Sequence, residues 1–338
     1  MNEKFQNALK HKAQTTPPVW FMRQAGRYHQ HYQNLRAQHS FMELCKNAEL
    51  ASEVALGPIQ DFDFDVSIMF SDLLFPLEAL GMGLEYTDKG PKLGWHLNTE
   101  NYKKLKTASE AIDDLGFQKE VLQLTRQKLP KDKSLIGFVG GPWTLFVYAC
   151  EGSHAGHLTY SKGHLDLFSG FCEVLVPLLE QNIQLQLEGG AEVVMIFDTA
   201  AGELAPDIYK QIIVPQLHRL MNRFPQQLGY YSKGTTESHV QAVQSNVWAG
   251  FGVDHRFDLS RVLSTSSSGF VQGNFDQTLL FQEPLQFKET IKKYFEKFEK
   301  LSPEERAGWV CGLGHGVLPK TPEENVRSFV KYVREVFK

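Results

Sequence analysis

Two arginines four residues apart, Arg23 and Arg27, dominate the stretch PVWFMRQAGRY (18–28), with Gln24, Ala25 and Gly26 between them. Guanidiniums at that spacing share one face if the segment turns helically, and each can grip a carboxylate with two parallel hydrogen bonds. Gly26 lets the backbone pass close to a ligand. The pair is either a clamp for an anionic small molecule or two solvated arginines at a helix start. Asp72 closes the apolar run IMFSD, among Phe70, Leu73, Leu74 and Phe75. It is either a helix N-cap or a site carboxylate whose charge the apolar surroundings would strengthen. Tyr148 follows a Gly-Gly-Pro turn in GGPWTLFVY and points into the core or into a site. Thr199, in FDTAAG, offers a hydroxyl at a strand end or caps the next turn. His315 is flanked by Gly314 and Gly316 in CGLGHGVLP. An imidazole there can meet an anion, shuttle a proton or simply occupy a turn. Cys311 invites a metal alongside it, but no second Cys–His pair at ligand spacing accompanies them.

Composition narrows the setting. The chain has 338 residues, 42% of them hydrophobic and 22% charged, as expected of a soluble globular enzyme. A formal net charge of −4 without a basic stripe argues against nucleic-acid binding. An anionic ligand must then be met by a local cluster of positive groups. The four cysteines, Cys45, Cys150, Cys172 and Cys311, are scattered without CxxC spacing, which suits a reducing cytoplasm. No apolar run reaches membrane-spanning length, and residues 1–18 carry no export pattern. A soluble, cytoplasmic protein is expected.

Several elements must position these residues. A short helix is expected within 1–17, and a helical run in FMELCKNAELASEVALGPI, where Leu44, Leu50, Val54 and Leu56 supply an apolar face. Beyond it come VSIMFSD (66–72), LIGFVGG (135–141), EVVMIFD (192–198), QLGYYS (227–232), NVWAGFGVD (246–254), GFVQGNFD (269–276) and GWVCGLGHG (308–316). Continuous rather than alternating hydrophobicity marks strands buried on both faces, as in parallel sheets. The stretches between them are long enough for crossover helices, one ending at Gly189. With a first strand at PVWFM these runs approach the eight units of a (β/α)8 TIM-type barrel, 1–338 forming a single domain. An open doubly wound sheet is the alternative, although no GxGxxG follows the first strand. In a barrel, chemistry gathers at the strand C-terminal ends. Those ends carry Asp72, the 140–143 turn, Asp198-Thr199, Ser232-Lys233, Asp254, Asn274, Asp276 and His315. LEYTDKGPKLGWHL (84–97) is expected to form a hairpin turning at Lys89-Gly90-Pro91, and SSSG (266–269) a loop.

PVWFMRQAGRY and MFSDLLFPLEALGMGLEY, followed in order by GGPWTLFVY, GYYSKG, VQGN and LGHGVLPKTPEENV, resemble the uroporphyrinogen decarboxylase family over nearly the full chain. The resemblance implies a single-domain (β/α)8 barrel, a homodimer, and neither metal nor organic cofactor. It implies the substrate uroporphyrinogen III, whose four acetate side chains lose CO2 to give coproporphyrinogen III in haem biosynthesis. By the same resemblance Asp72 is the central carboxylate that accepts pyrrole N–H groups, and Arg23 is catalytic. Arg23 and Arg27 bind substrate carboxylates, with Gln24, Ala25 and Gly26 completing the clamp. Phe41 fills an aromatic position after the clamp, and Tyr148, Thr199 and His315 are substrate contacts. The chain departs from the family pattern at DTAAG, at DHR (254–256), at CGLGHG and through EGSHAGHLTYSKGHL (151–165). These changes admit a non-catalytic tetrapyrrole-binding paralogue as an alternative. Zinc-dependent methyltransferases of the same superfamily are a second, but they need a His-x-Cys pair that does not occur here.

Overall fold

The computed structural model describes residues 1–87 and 90–338. Its centre is a curled sheet of seven parallel strands. These are β1 (Val66–Ile68), β4 (Ser134–Gly140), β5 (Val193–Asp198), β6 (Leu228–Ser232), β7 (Gly250–Gly252), β8 (Phe270–Phe275) and β9 (Trp309–Leu313), hydrogen-bonded in that order. Each coincides with one of the continuous apolar runs. A separate antiparallel pair joins β2 (Leu84–Thr87) to β3 (Gly90–Leu93). In that hairpin Gly90 and Pro91 belong to β3 rather than to a turn, while Lys89 lies outside the described residues. A proline is tolerated in so short an edge strand because no third strand needs its missing N–H.

The segment expected as a first strand at PVWFM is not one. Val19 makes a single parallel bridge to Cys311, with Cys311 N–H donating to the Pro18 carbonyl at 2.8 Å and Asp65 N–H donating to the Val19 carbonyl at 2.9 Å. The ladder cannot lengthen backwards because Pro17 and Pro18 bring no N–H. Nor can it lengthen forwards, because Arg23 takes a left-handed φ of 60°. The expected long helix after Phe41 is also divided, into Phe41–Lys46 and Ala48–Phe62. Asn47 leaves the helical region there, and its side chain accepts from Leu50 N–H at 3.2 Å, the usual preference of Asn for capping over helix interiors. The crossover helix Leu165–Glu188 does end at Gly189.

Two apolar cores result. The larger lies between the sheet and its outer helices. The smaller fills the inside of the curl with Val66, Ile136, Met195, Phe270 and Val310, joined by Trp20 and by Phe5 from the first helix, Glu3–Leu9. Phe5 sits 6.0 Å, centroid to centroid, from Phe270. Asp65, just before β1 and only 1% exposed, ties these parts together. Its carboxylate accepts from Val19 N–H at 2.7 Å and pairs with Lys4 at 2.7 Å and with Arg334 of the C-terminal helix.

Candidate functional site

Segment 18–28 runs from the Val19 bridge into a series of tight turns, not a helix; the first helix after it begins at Gln30. Gln24 holds these turns. Its buried amide donates to the Val66 carbonyl at 3.0 Å and accepts from Phe21 N–H at 3.2 Å, while Tyr28 donates to the Gln24 carbonyl at 2.8 Å. The Gln24 side chain is thus spent on anchoring the turn to β1. Arg23 and Arg27 are exposed but do not share a helical face. Arg27 lies where its charge reaches Tyr32. The Arg23 stem passes over Gly316, where an added Cβ would come 2.5 Å from Arg23 Cδ.

Asp72 follows β1 in a loop and caps its turn, its Oδ1 accepting from Leu74 N–H at 2.9 Å. The cap and site alternatives are therefore compatible, since the second carboxylate oxygen is not used by that turn. Burial raises the Asp72 pKa above the ordinary carboxylate value, opposed by the Tyr86 hydroxyl, the Leu74 N–H and the Arg23 charge. Phe41 opens its helix against Tyr86, ring centroids 4.4 Å apart, and meets Phe70 at 5.9 Å. It forms part of the aromatic wall behind Asp72.

Tyr148 is half-buried on the helix Pro142–Glu151. That helix is fastened at its start by Asp198, whose Oδ1 accepts from the Thr144 N–H at 2.9 Å and hydroxyl at 2.7 Å. Asp198 is fully buried, and desolvation pushes its pKa up to about 6. An added Cβ at Gly141 would strike the Asp198 carboxyl at 2.3 Å, so a glycine is required there. Desolvation raises the Tyr148 pKa, with Asp72 raising it further and Arg23 lowering it; the three belong to one neighbourhood. Thr199 is partly exposed just past β5. Because Asp198 and Ser232 are partners in the β5–β6 register, Thr199 and Lys233 leave adjacent strands side by side.

His315 completes the set. The Tyr231 hydroxyl donates to the Gly314 carbonyl at 2.7 Å and lies 3.0 Å from His315 Nδ1. A phenol has one proton, and Gly314 takes it, so Nδ1 must be the donor to the Tyr231 oxygen. That leaves Nε2 as an unprotonated acceptor. Burial, together with Arg23, Lys233 and His154, pushes the His315 pKa down to about 3. The ring is neutral at physiological pH. It suits an N–H or a protonated carboxyl rather than a bare carboxylate.

Other strand-end polar groups expected at a site serve the scaffold. Asp254 accepts from Gly234 N–H at 2.8 Å and pairs with Arg256, and Asn274 donates to the Asp254 carbonyl at 2.8 Å. Asp276 caps its own turn through Thr278. Cys311 is buried where Arg334 and Asp65 act on it, whereas His315 is among the Arg23 group, so the two do not form a pair. Among the described residues no group of three or more His, Cys, Asp or Glu could hold a metal ion. Tyr86, Tyr231 and His154 were not singled out from sequence. Lys233 was visible only as a strand-end residue in GYYSKG, and nothing local to the others marks them, because their partners are distant in the chain.

Fold and site together define a parallel α/β protein with cationic and hydrogen-bonding groups gathered around one carboxylate, Asp72, past the C-terminal ends of its strands. Comparison with known proteins narrows the class. The family model Uroporphyrinogen decarboxylase (URO-D) matches residues 1–336. A uroporphyrinogen decarboxylase of Chloroherpeton thalassium is 31% identical over 345 residues, covering 99% of this chain and 97% of that protein. One from Rickettsia bellii is 33% identical over 336 residues, covering 94% and 95%. Among solved structures, a methyltransferase from Methanosarcina mazei superposes with a TM-score of 0.82 over 99% of this chain and 98% of its own, at 18% identity, a likeness of fold alone. The chain belongs to the uroporphyrinogen decarboxylase family.

Proposed function

We propose that this chain decarboxylates the four acetate side chains of uroporphyrinogen III to give coproporphyrinogen III and four CO2, a carboxy-lyase step of haem biosynthesis. The chemical difficulty is that CO2 departs without its bonding electrons. A pyrrole can receive them if protonation of the ring carbon beside the acetate first makes the ring a cationic iminium. The C–COO bond then breaks into the ring, and protonation of the resulting exocyclic methylene leaves a methyl group. The ring proton is lost again, so each acetate consumes one proton net.

The observation that carries this proposal is the setting of Asp72. It is a preorganised, desolvated carboxylate with one oxygen locked by Leu74 N–H and with Arg23 close enough to oppose its protonation. Such a group attracts developing positive charge more strongly in the transition state than in the ground state. Its second oxygen can accept pyrrole N–H groups. Arg23 and Arg27 bind side-chain carboxylates, Arg23 next to the reacting ring. Ala25 and Gly26, half-exposed between them, line the same turn, and Gln24 acts by holding it. Tyr148 and Thr199 offer hydroxyls, and Phe41 backs the pocket through Tyr86. His315, neutral with Nε2 free, accepts a hydrogen bond from a pyrrole N–H or a protonated side chain.

In this proposal residues 18–21 stand in the place of the eighth strand, between β9 and β1, and close the sheet into a (β/α)8 barrel spanning the single domain 1–338. The pairings of Val19 with Cys311 and Asp65 support that. Four free, buried cysteines fit a reducing cytoplasm. No helix among the described residues is long and apolar enough to cross a membrane. Association as a homodimer follows from the family resemblance, and sedimentation equilibrium tests it.

The activity is tested by anaerobic incubation of metal-chelated protein with uroporphyrinogen III, then chromatography of the oxidised porphyrins. A ladder from eight to four carboxylates ending at coproporphyrin is expected. Unchanged uroporphyrin with binding retained would indicate a non-catalytic paralogue. Turnover that depends on added zinc would return the question to metal-dependent chemistry.

A further inference from the structure

Uroporphyrinogen carries eight carboxylates, and the Arg23–Arg27 clamp offers two guanidiniums. In a chain whose net charge is −4, the remaining carboxylates need further local cations or donors. One cation stands out. Lys233 leaves β6 next to Thr199, held by close backbone packing: an added Cβ on Gly202 would lie 2.3 Å from the Lys233 carbonyl oxygen. Its neighbours fix it on the other side, since Tyr231 is bonded to His315 and Gly234 N–H to Asp254. The nearby carboxylates are engaged or peripheral. Asp254 is paired with Arg256 and Glu203 lies 3.9 Å from Lys162, and Lys233 forms no ion pair with a described residue.

A second donor lies on a neighbouring segment, since Gly202 packs on Lys233 and the adjacent Glu203 lies 3.9 Å from Lys162 of the stretch that carries His154. His154 Nδ1 lies 2.8 Å from the Tyr148 hydroxyl, and the rings meet edge to face at 5.4 Å. A neutral histidine and a phenol hold two polar protons between them, and their mutual hydrogen bond uses one. Whichever way that bond runs, one N–H or O–H remains outward. His154 sits in EGSHAGHLTYSKGHL (151–165), the segment that departs from the family's usual glycine-rich continuation.

We infer that Lys233 and the Tyr148–His154 pair form a second anion subsite in addition to the Arg23 and Arg27 guanidiniums, taking one side-chain carboxylate of the bound tetrapyrrole. The charges interact as this requires. Lys233 and Arg23 both hold the His154 pKa down, against a smaller opposing influence of Glu203, after burial as the main cause. Lys233 also lowers that of His315. A carboxylate arriving between these groups relieves their mutual repulsion. Lys233 and His154 are thus binding residues, and Asp72 remains the group that acts on the reacting ring. This subsite rests on the proposed tetrapyrrole substrate.

The test separates the two. Fluorescence titration with uroporphyrin I, the planar oxidised octacarboxylate, reads binding without turnover, and steady-state kinetics on uroporphyrinogen III read KM and kcat. Lys233→Gln is expected to weaken uroporphyrin binding about tenfold or more and to raise KM by a similar factor, with kcat within about twofold, as for loss of one charged hydrogen-bond partner. Lys233→Arg should restore most of the affinity, and His154→Ala should weaken it about threefold to tenfold. Unchanged affinity in Lys233→Gln, equal losses in the Gln and Arg variants, or a fall in kcat at constant KM would each overturn the subsite. Wild-type protein that binds uroporphyrin in a Lys233-dependent way but releases no CO2 would uphold the subsite and sink the decarboxylase activity. Wild-type turnover with an indifferent Lys233→Gln would do the reverse.

Discussion

Replacing Asp72 by Asn tests the electrostatic core of the proposed mechanism with little structural disturbance. The amide oxygen can keep the 2.9 Å bond from Leu74 N–H, so the turn survives, and the side-chain volume hardly changes. What disappears is one negative charge in a desolvated setting, aimed at a ring that becomes cationic only in the transition state. Loss of one preorganised group facing developing charge costs about 2.7–4 kcal/mol, or about 10²–10³ in kcat. Because the ground-state porphyrinogen ring is neutral, binding suffers less, and uroporphyrin affinity should change by about threefold at most on the same argument. Asp72→Ala should lose as much turnover and in addition strand the Leu74 N–H, at about 1 kcal/mol or more of stability. The pH profile gives an independent check. Burial raises the Asp72 pKa in the ligand-free protein and the ionised form is the one proposed to act, so wild-type kcat/KM should fall on the acid side, with an inflection above the ordinary carboxylate range. The Asn variant should lack that inflection. Single-turnover decarboxylation followed by chromatography measures all of this; an Asp72→Asn enzyme within about fivefold of wild type, set against the expected 10²–10³, would refute the assignment.

Gly316→Ala should push the Arg23 stem aside, since the added Cβ would lie 2.5 Å from Arg23 Cδ. A loss of turnover with an unchanged urea midpoint is expected, because only a flexible side chain must yield. Asp65→Asn should lower stability by about 1.5–3 kcal/mol in urea denaturation, because the partly exposed Lys4 and Arg334 lose a buried carboxylate partner. Activity should fall with it as the Val19 segment loosens. His315 gives a second pH signature. Its pKa is about 3 in the fold against an ordinary value near 6.5, so the unfolded chain binds the proton first. The stability it contributes is present above about pH 6.5 and declines as pH falls toward 3. Relative to His315→Asn, wild-type stability should drop by about 2 kcal/mol between pH 7 and pH 5. Parallel pH dependence in the two proteins would contradict the neutral, buried ring.

The strand runs were legible because parallel strands buried on both faces must be apolar throughout, and each of the seven coincides with such a run. The same logic put Asp72, Thr199, Lys233 and His315 at strand C-terminal ends, and the Arg23–Arg27 string drew attention by its residue types alone. Local pattern was less reliable where a single residue changes the backbone. Asn47 divides an apparently continuous helix, and the left-handed Arg23 turns the expected helical clamp into a series of turns.

What only the tertiary structure decided is the choice of distant partner. The tautomer of His315 depends on a tyrosine 84 residues away. The setting of each strand-end aspartate depends on its neighbours: Asp198 is spent on Thr144 and Asp254 on Arg256, whereas Asp72 takes the Leu74 N–H and stands with the Tyr86 hydroxyl and Arg23 about it. The proposed grouping of Lys233 with His154 likewise depends on the curl of the sheet. Residue type and spacing specify which groups stand at the strand ends. Hydrogen-bond saturation, set by contacts that no local periodicity encodes, determines which of them remain free to do chemistry.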